Sequence, residues 1–297
     1  GKKIGYIAIG ERYAFAKKDG YAISRRVIIN TGGKMKSEKI CMYAEMVLAV
    51  FLVLLLLRIS IHRTVQTISP NTQPKLAIVI DDFGNNSAGT EEMLALPIPF
   101  TGAVMPQMPY TKADQDKLLD NGKAVILHQP MEAHTGQRSW LGKTPILSNM
   151  STEEAVDTFK SNLDSVDKAK GFNNHMGSKI TEDKDKMTAL LKEAKERNMY
   201  FLDSLTTAKS VGEDVAKEVG VPYIKRDVFL DSTQDIKTVE KNILRAAEIA
   251  KQKGTAVAIG HVGAEGGIVT ATALNNLYKQ LENEGIKFVT LEEIIQN

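Results

Sequence analysis

Between Lys75 and Asn297 the chain predicts an α/β fold, a barrel of seven or eight parallel strands wrapped by helices. Short aliphatic runs alternate there with helical periodicities, which implies parallel strands joined by crossover helices. Most of those runs stop on a residue that can bind a metal or move a proton, and in a parallel barrel the carboxyl ends of the strands share one rim. A composition of 43% hydrophobic and 25% charged residues over 297 positions is that of an ordinary globular protein, with material for one large core.

The strands are expected at Leu76–Ile80, Phe100–Met105, Ala124–Leu127, Gly171–Asn174, Met199–Leu202, Pro222–Ile224, Thr255–Ile259 and Lys287–Thr290. The first ends in Asp81-Asp82, the third in His128, the fourth leads into His175, the fifth ends in Asp203, and the seventh runs through Gly260 into His261. Between them Ser151-Thr152-Glu153-Glu154 reads as a capping box, opening a helix with Val156, Phe159, Leu163 and Val166 on one face. Asp235 to Lys253 repeats the pattern with Val239, Ile243, Ala247 and Ala250 and stops at Gly254. Further helices are expected at Asp183–Arg197 and Thr270–Glu284.

Four regions divide the chain. Residues 1–39 are basic and without clear period, and Met35 makes a natural start for an exported protein, so no function attaches to the residues before it. Residues 40–57 contain the wholly apolar run Met46 to Leu57, with Glu45 the single charge; this length fits a transmembrane anchor or a signal sequence. Basic residues crowd its N-terminal flank, which sends the C-terminal part of the chain out of the cytoplasm and predicts an envelope location, anchored or, if the segment is cleaved, secreted. Residues 58–74 are polar with two prolines and read as a linker, and 75–297 form the barrel. The formal charge of +2 argues for no nucleic acid or other polyanion, and no protein partner is inferable. Cys41, the single cysteine, rules out an internal disulfide and reads as a small buried hydrophobe.

Asp81-Asp82, followed by Phe83-Gly84, presents two carboxylates at a sharp turn, where one can hold a divalent cation and the other take a proton from water. The alternative is a helix N-cap at Asn85 or Asn86 with both acids solvated. His128 opens His128-Gln129-Pro130-Met131-Glu132; imidazole suits zinc-like ions, and Glu132 can add an oxygen ligand or orient one. His134 reads as solvated surface. Asn173-Asn174-His175-Met176-Gly177-Ser178 suits a tight loop aiming an imidazole at a cavity, or an Asn-rich turn satisfying its own backbone. Asp203 with Ser204 can meet sugar hydroxyls or cap a turn, and Arg226-Asp227 and Asp231 flank an apolar stretch in which Arg226 can neutralise an acid. His261 precedes Val262-Gly263-Ala264-Glu265-Gly266-Gly267, whose glycines leave room for a ligand beside a general acid and miss the dinucleotide-loop spacing. Trp140 lies in the long aperiodic stretch Ala133 to Met150, where an indole can stack on a sugar or pack in the core.

In that order, Asp81-Asp82-Phe83-Gly84, His128 to Glu132, Asn173 to Ser178, Phe201-Leu202-Asp203-Ser204, Arg226 to Asp231 and Gly260-His261 resemble the divergent polysaccharide deacetylases over nearly all of Lys75 to Asn297. The resemblance implies a distorted (β/α) barrel related to carbohydrate esterases that remove acetyl groups from amino sugars with a divalent metal. It implies Asp81 as base, Asp82, His128 and His175 as ligands of a divalent ion of the zinc type, and His261 as acid. Glu132, Asn174, Asp203, Ser204, Arg226, Asp227 and Asp231 are then expected to contact substrate or support the ligands. Better-studied relatives carry an H-x-x-x-H stretch, whereas here Glu132 follows His128 and Lys179 follows His175 at that spacing. The expected activity is metal-dependent hydrolysis of acetyl groups on a polysaccharide or peptidoglycan sugar. The alternatives are a catalytically inactive glycan-binding or scaffold barrel, and a metal hydrolase acting on a different bond.

Overall fold

The computed structural model describes residues 15–18, 21–24, 42, 46–55, 58 and 73–295. The chain divides into two compact units, Gly1–Pro70 and Asn71–Asn297. In the first, strands β1 (Phe15–Lys18) and β2 (Tyr21–Ser24) form an antiparallel hairpin, and residues 46–55 form helix α1, whose apolar side chains are exposed. No helix among the described residues is long and apolar enough to cross a membrane. Cys41, most of the basic segment and of the linker, and both ends of the 40–57 segment lie outside the described residues.

The second unit is a parallel sheet of β3 (Lys75–Phe83), β4 (Thr101–Val104), β5 (Ala124–Met131), β6 (Gly171–Met176), β7 (Tyr200–Asp203), β8 (Tyr223–Lys225), β9 (Val228–Phe229), β10 (Thr255–His261) and β11 (Lys287–Val289). Its order is β8-β7-β6-β5-β4-β3-β10-β9, with β11 on the amino-terminal half of β3. Strands β8 and β9 stand at opposite ends of that order, yet only Arg226 and Asp227 separate them in sequence. Three peptide steps span at most about 10 Å, so the sheet has to curl until its edges nearly meet. The crossing is visible in the hydrogen bonds: Arg226 N–H donates to the carbonyl of Asp203 on β7 (3.1 Å), and Asp227 N–H donates to that of Val257 on β10 (2.8 Å). The expected parallel barrel is therefore present, distorted by a seam that the chain bridges without a ladder. The two-residue β9 lies outside the expected strands, and β8 starts one residue later than expected.

Helices α2 (Thr90–Leu94), α3 (Thr111–Asp120), α4 (Thr152–Ser165), α5 (Lys184–Glu196), α6 (Gly212–Val219), α7 (Ile236–Lys253), α8 (Gly267–Asn283) and α9 (Glu292–Ile295) complete the unit. The capping box at Ser151 and Glu154 is formed in both directions, and α7 starts at Asp235 and ends at Gly254 as its sequence demands. Alternation along each strand builds two cores. Ala77, Val79, Ala103, Ile126, Leu202, Val257 and Ile259 fill the barrel interior, while Leu76, Ile78, Ile80, Leu127, Phe172 and Phe201 pack against the helices. Each inward row points at the carboxyl-terminal rim.

Candidate metal centre

Continuing the inward rows by two residues gives the site. Val79 leads to Asp81, Ile126 to His128 and Ile259 to His261, so these three side chains face the barrel axis. By the same alternation Asp82 would point at the helices. Instead its backbone is left-handed (φ 70°), and the pairing of β3 with β4 shifts register between Ile80 and Phe83; this bulge re-aims the carboxylate. The expected turn at Phe83-Gly84 is thus a bulge within a strand that runs through Phe83, and the solvated N-cap alternative fails because Asp81 is buried. Strand β4 stops at Val104, opposite Leu127, which leaves Asp82 and His128 free to meet across its end. Strand β6 continues to Met176, so His175 sits on a strand and not in a loop.

Asp82 Oδ1 lies 3.3 Å from His128 Nε2 and 3.2 Å from His175 Nδ1, and those two nitrogens are 3.1 Å apart. The other nitrogen of each ring fixes its tautomer. His128 Nδ1 meets Asn173 Oδ1 (2.7 Å), which acts as acceptor because Asn173 Nδ2 donates to both oxygens of Asp81 (3.0 and 3.2 Å). His175 Nε2 meets the Trp140 carbonyl (2.9 Å), which can only accept. In their neutral forms both rings therefore turn a bare lone pair towards Asp82, whose Oδ1 is buried without a hydrogen bond of its own, although Asp81 and Asp82 override burial and raise the His128 pKa towards the protonated form. Three converging acceptors repel one another unless a proton or a metal cation lies between them. Ligands about 2.0–2.1 Å from a tetrahedral ion are about 3.3 Å apart, so the three edges match one face of such a site. The donor set fits a zinc-like ion.

A cavity of about 290 Å³ opens on this triangle, and Asp81, Ser204, Phe229 and His261 also line it. Burial pushes the Asp81 carboxyl above its ordinary range, against the pull of His128 and His261. Burial would raise Asp82 too, but His128 and His175, when they carry the proton facing it, outweigh burial by hydrogen bonding and charge and hold that carboxyl well below. His261 Nδ1 lies 2.8 Å from Asp231 Oδ1, and Asp231 Oδ2 accepts from the His261 amide and from Thr270 Oγ1 (both 2.7 Å). Burial would lower the His261 pKa; Asp231, with Asp81 and Asp82, overrides it and lifts the imidazole to about 10.

The other expected residues divide by position. Ser204 faces the cavity, fixed by Asn174, whose side-chain oxygen accepts from the Ser204 amide (2.9 Å). Arg226 stacks 3.7 Å from the Phe229 ring and donates to the carbonyls of Ser204 and Leu205, so it braces the rim, and the charges of Asp203 and Asp227 act on it there. Asp203 follows the helix-side row of Phe201 and accepts from Leu205 N–H, Ser210 Oγ and Tyr223 OH. Asp227 is held by Lys253 and the Val257 amide. Glu132 is held by Lys179 (2.7 Å) and the Ser148 amide (2.6 Å) in a neighbouring cleft. Trp140 is 58% exposed, which excludes the core role. Asn173 stands outside the expected set, although its place two residues before His175 puts it on the same inward row.

Fold and site place the chain among α/β barrels that carry an Asp/His cluster on the strand-end rim. The family model of the divergent polysaccharide deacetylases matches residues 78–295, and the chain belongs to that family. It is similar to the uncharacterized protein YibQ of Escherichia coli K12, 36% identical over 193 residues, a match spanning 65% of this chain and 60% of YibQ. An uncharacterized protein of Haemophilus influenzae is 33% identical over 72% of this chain and 76% of its own length. The fold is shared with the crystal structure of the uncharacterized protein ATU2773 from Agrobacterium tumefaciens C58, at a TM-score of 0.69 and 17% identity, covering 76% of this chain and 91% of that one. It is also shared with the Bc1960 peptidoglycan N-acetylglucosamine deacetylase, at 0.52 and 16%, covering 77% and 91%.

Proposed function

We propose that the chain is an envelope hydrolase that removes acetyl groups from a polysaccharide or peptidoglycan sugar, using a divalent ion of the zinc type held by Asp82, His128 and His175. The triangle of bare acceptors at 3.1 to 3.3 Å carries this reading. Family membership and the fold shared with a peptidoglycan deacetylase support the reaction class. When bound, such an ion polarises a carbonyl and acidifies water.

The chain's own groups supply the proton steps. Asp81, buried beside the triangle and aligned by Asn173, takes the proton of an attacking water. His261, kept protonated by Asp231, donates to the leaving amine or alcohol from the other side of the cavity. Ser204 offers a hydroxyl to the sugar. The apolar run within residues 40–57, with its basic flank, supports tethering to a membrane and delivery of the barrel outside the cytoplasm.

The purified full chain in detergent is expected to bind about one zinc ion and to release acetate from acetylated amino-sugar polymers. Absence of both properties, with His175→Ala behaving as wild type, would end the reading. Zinc-independent retention of glycan by Asp82→Ala without acetate release would favour the inactive glycan-binding barrel.

A further inference from the structure

The left-handed backbone at Asp82 (φ 70°) aims its carboxylate at the two imidazoles, and a residue other than glycine keeps such a backbone only where its surroundings hold it. On the amino-terminal side the hold is the strand ladder: Asp81 is in register with His261, and its carbonyl accepts from Val262 N–H (3.1 Å). On the carboxyl-terminal side the Phe83 carbonyl accepts from Met105 N–H (2.8 Å), and the Gly84 carbonyl from Tyr110 N–H (2.9 Å). Asp114, wholly buried in the first turn of α3, accepts from the amides of Gly84 (2.7 Å) and Asn86 (3.0 Å) with the single oxygen Oδ2. Its Oδ1 is buried and has no hydrogen-bond partner among the described residues. Gly84 leaves no room for a side chain, since a Cβ there would come 2.9 Å from the Met105 carbonyl oxygen.

A buried carboxyl with one idle oxygen carries a desolvation cost that its two bonds must offset, and what those bonds fix is the strand exit directly after the Asp82 bulge. Asp114 does not line the metal cavity. We propose that it is a positioning residue for the ion site, acting through the backbone of Gly84 and Asn86 to keep the Asp82 carboxylate turned towards His128 and His175. Without the carboxyl the buried Gly84 N–H loses its acceptor, and it regains one most directly by a shift of the peptide units that set the Asp82 backbone. The proposal rests on the reading of Asp82 as an ion ligand.

The test is zinc affinity of the full chain in detergent by dye competition, with stability followed by urea unfolding. Asp114→Ala is expected to bind zinc about 10- to 100-fold more weakly, the range typical of residues that orient a ligand. Asp114→Asn keeps an oxygen for the two amides and should lose only about threefold, because a neutral amide oxygen accepts less strongly than a carboxylate. Lys123→Ala is the stability control. The buried Lys123 ammonium donates to the carbonyls of Leu96 (2.7 Å) and Ile98 (2.8 Å) just before β5 begins, at the end of the sheet away from the rim, so its loss also strips two backbone groups of a partner. That variant should be less stable yet bind zinc as wild type does. In the metal-free protein the ring-nitrogen chemical shifts of His128 and His175 should move in Asp114→Ala and stay in Lys123→Ala. Zinc affinity within about twofold of wild type in Asp114→Ala, or an equal loss in Lys123→Ala, would overturn the positioning role. Should the alanine variant fail to fold, an asparagine variant with wild-type affinity and unmoved shifts overturns it instead. A wild type that binds no zinc, with shifts that still move in Asp114→Ala, would support the positioning of Asp82 while sinking its reading as an ion ligand.

Discussion

Glu132 and Lys179, each four residues after a histidine of the metal triangle, close on one another at 2.7 Å. Either position would complete an H-x-x-x-H stretch if it carried a histidine; here both are spent on a salt bridge beside the cavity. Strand geometry explains the trade, because β5 ends at Met131 and residue 132 already faces the neighbouring cleft. Restoring the spacing with Glu132→His should therefore add no ligand. Zinc stoichiometry near one with unimproved affinity is the expected result of a dye-competition titration, and tighter binding would contradict the geometry.

The same pair sets an acid limit on stability. Burial would raise the Glu132 carboxyl, but Lys179 and the Ser148 amide hold it at about 2, below its ordinary value near 4.5. A depressed carboxyl stabilises the fold above its ordinary pKa, and that contribution is lost as pH falls through about 2. The pair is partly solvated, so on the order of 1 to 2 kcal/mol is at stake. Acid titration of stability by urea unfolding should show Glu132→Gln less stable than wild type at pH 6 and closing the gap towards pH 2.

Removing a corner of the triangle should abolish tight metal binding. His175→Ala and Asp82→Ala leave two donors, and each is expected to weaken zinc by more than about 100-fold, beyond the range typical for supporting residues. Circular dichroism should show both variants folded.

Asn173 connects the proposed ligand His128 to the proposed base Asp81, since one amide accepts from the first and donates to the second. Asn173→Ala frees the His128 tautomer and should cost about 10- to 100-fold in zinc affinity. Asn173→Asp keeps the acceptor for His128 but sets a carboxylate against Asp81. It should therefore retain more zinc affinity than the alanine variant while losing turnover.

The His261–Asp231 pair predicts an alkaline limb. His261 is raised from its ordinary value near 6.5 to about 10, so the acid is loaded throughout the neutral range and is lost as pH rises through about 10. Asp231→Asn withdraws the charge that holds the proton, and the alkaline limb of kcat/KM should move towards neutrality. Gly266→Ala should disturb the same pair by crowding, because its Cβ would collide with Asp231 Oδ2.

Much of the architecture is legible from residue order. Aliphatic runs ending in Asp81, His128 and His261 announce a shared rim, and the caps at Ser151 and Gly254 mark helix limits that the structure keeps. Two-residue alternation reaches further still. It separates Asp203, on the row of Phe201, from the axis and sets Asn173 on the row of His175. Asp82 breaks the alternation through a left-handed backbone that no periodicity announces. The α2, α3 and α6 helices stay hidden because they are short or weakly amphipathic, and β9 because two residues hold no period. Glu132 is out of reach for another reason: nothing local reveals that Lys179, from the next strand connection, will claim its carboxylate.

The bridge at Arg226 and Asp227 has a mechanical corollary. The proposed ion-binding corner rests on β3, β5 and β6, joined through β4 with one bulge at Asp82, whereas Asp231 follows a two-residue strand paired with β10 alone. The proposed ion site is thus carried by long paired strands, and the carboxylate that holds His261 is carried by the seam. Amide exchange should accordingly be quicker from residues 226 to 231 than along β3 and β5, so the seam lets Asp231 move while His261, in register with Asp81 across β10 and β3, stays in place.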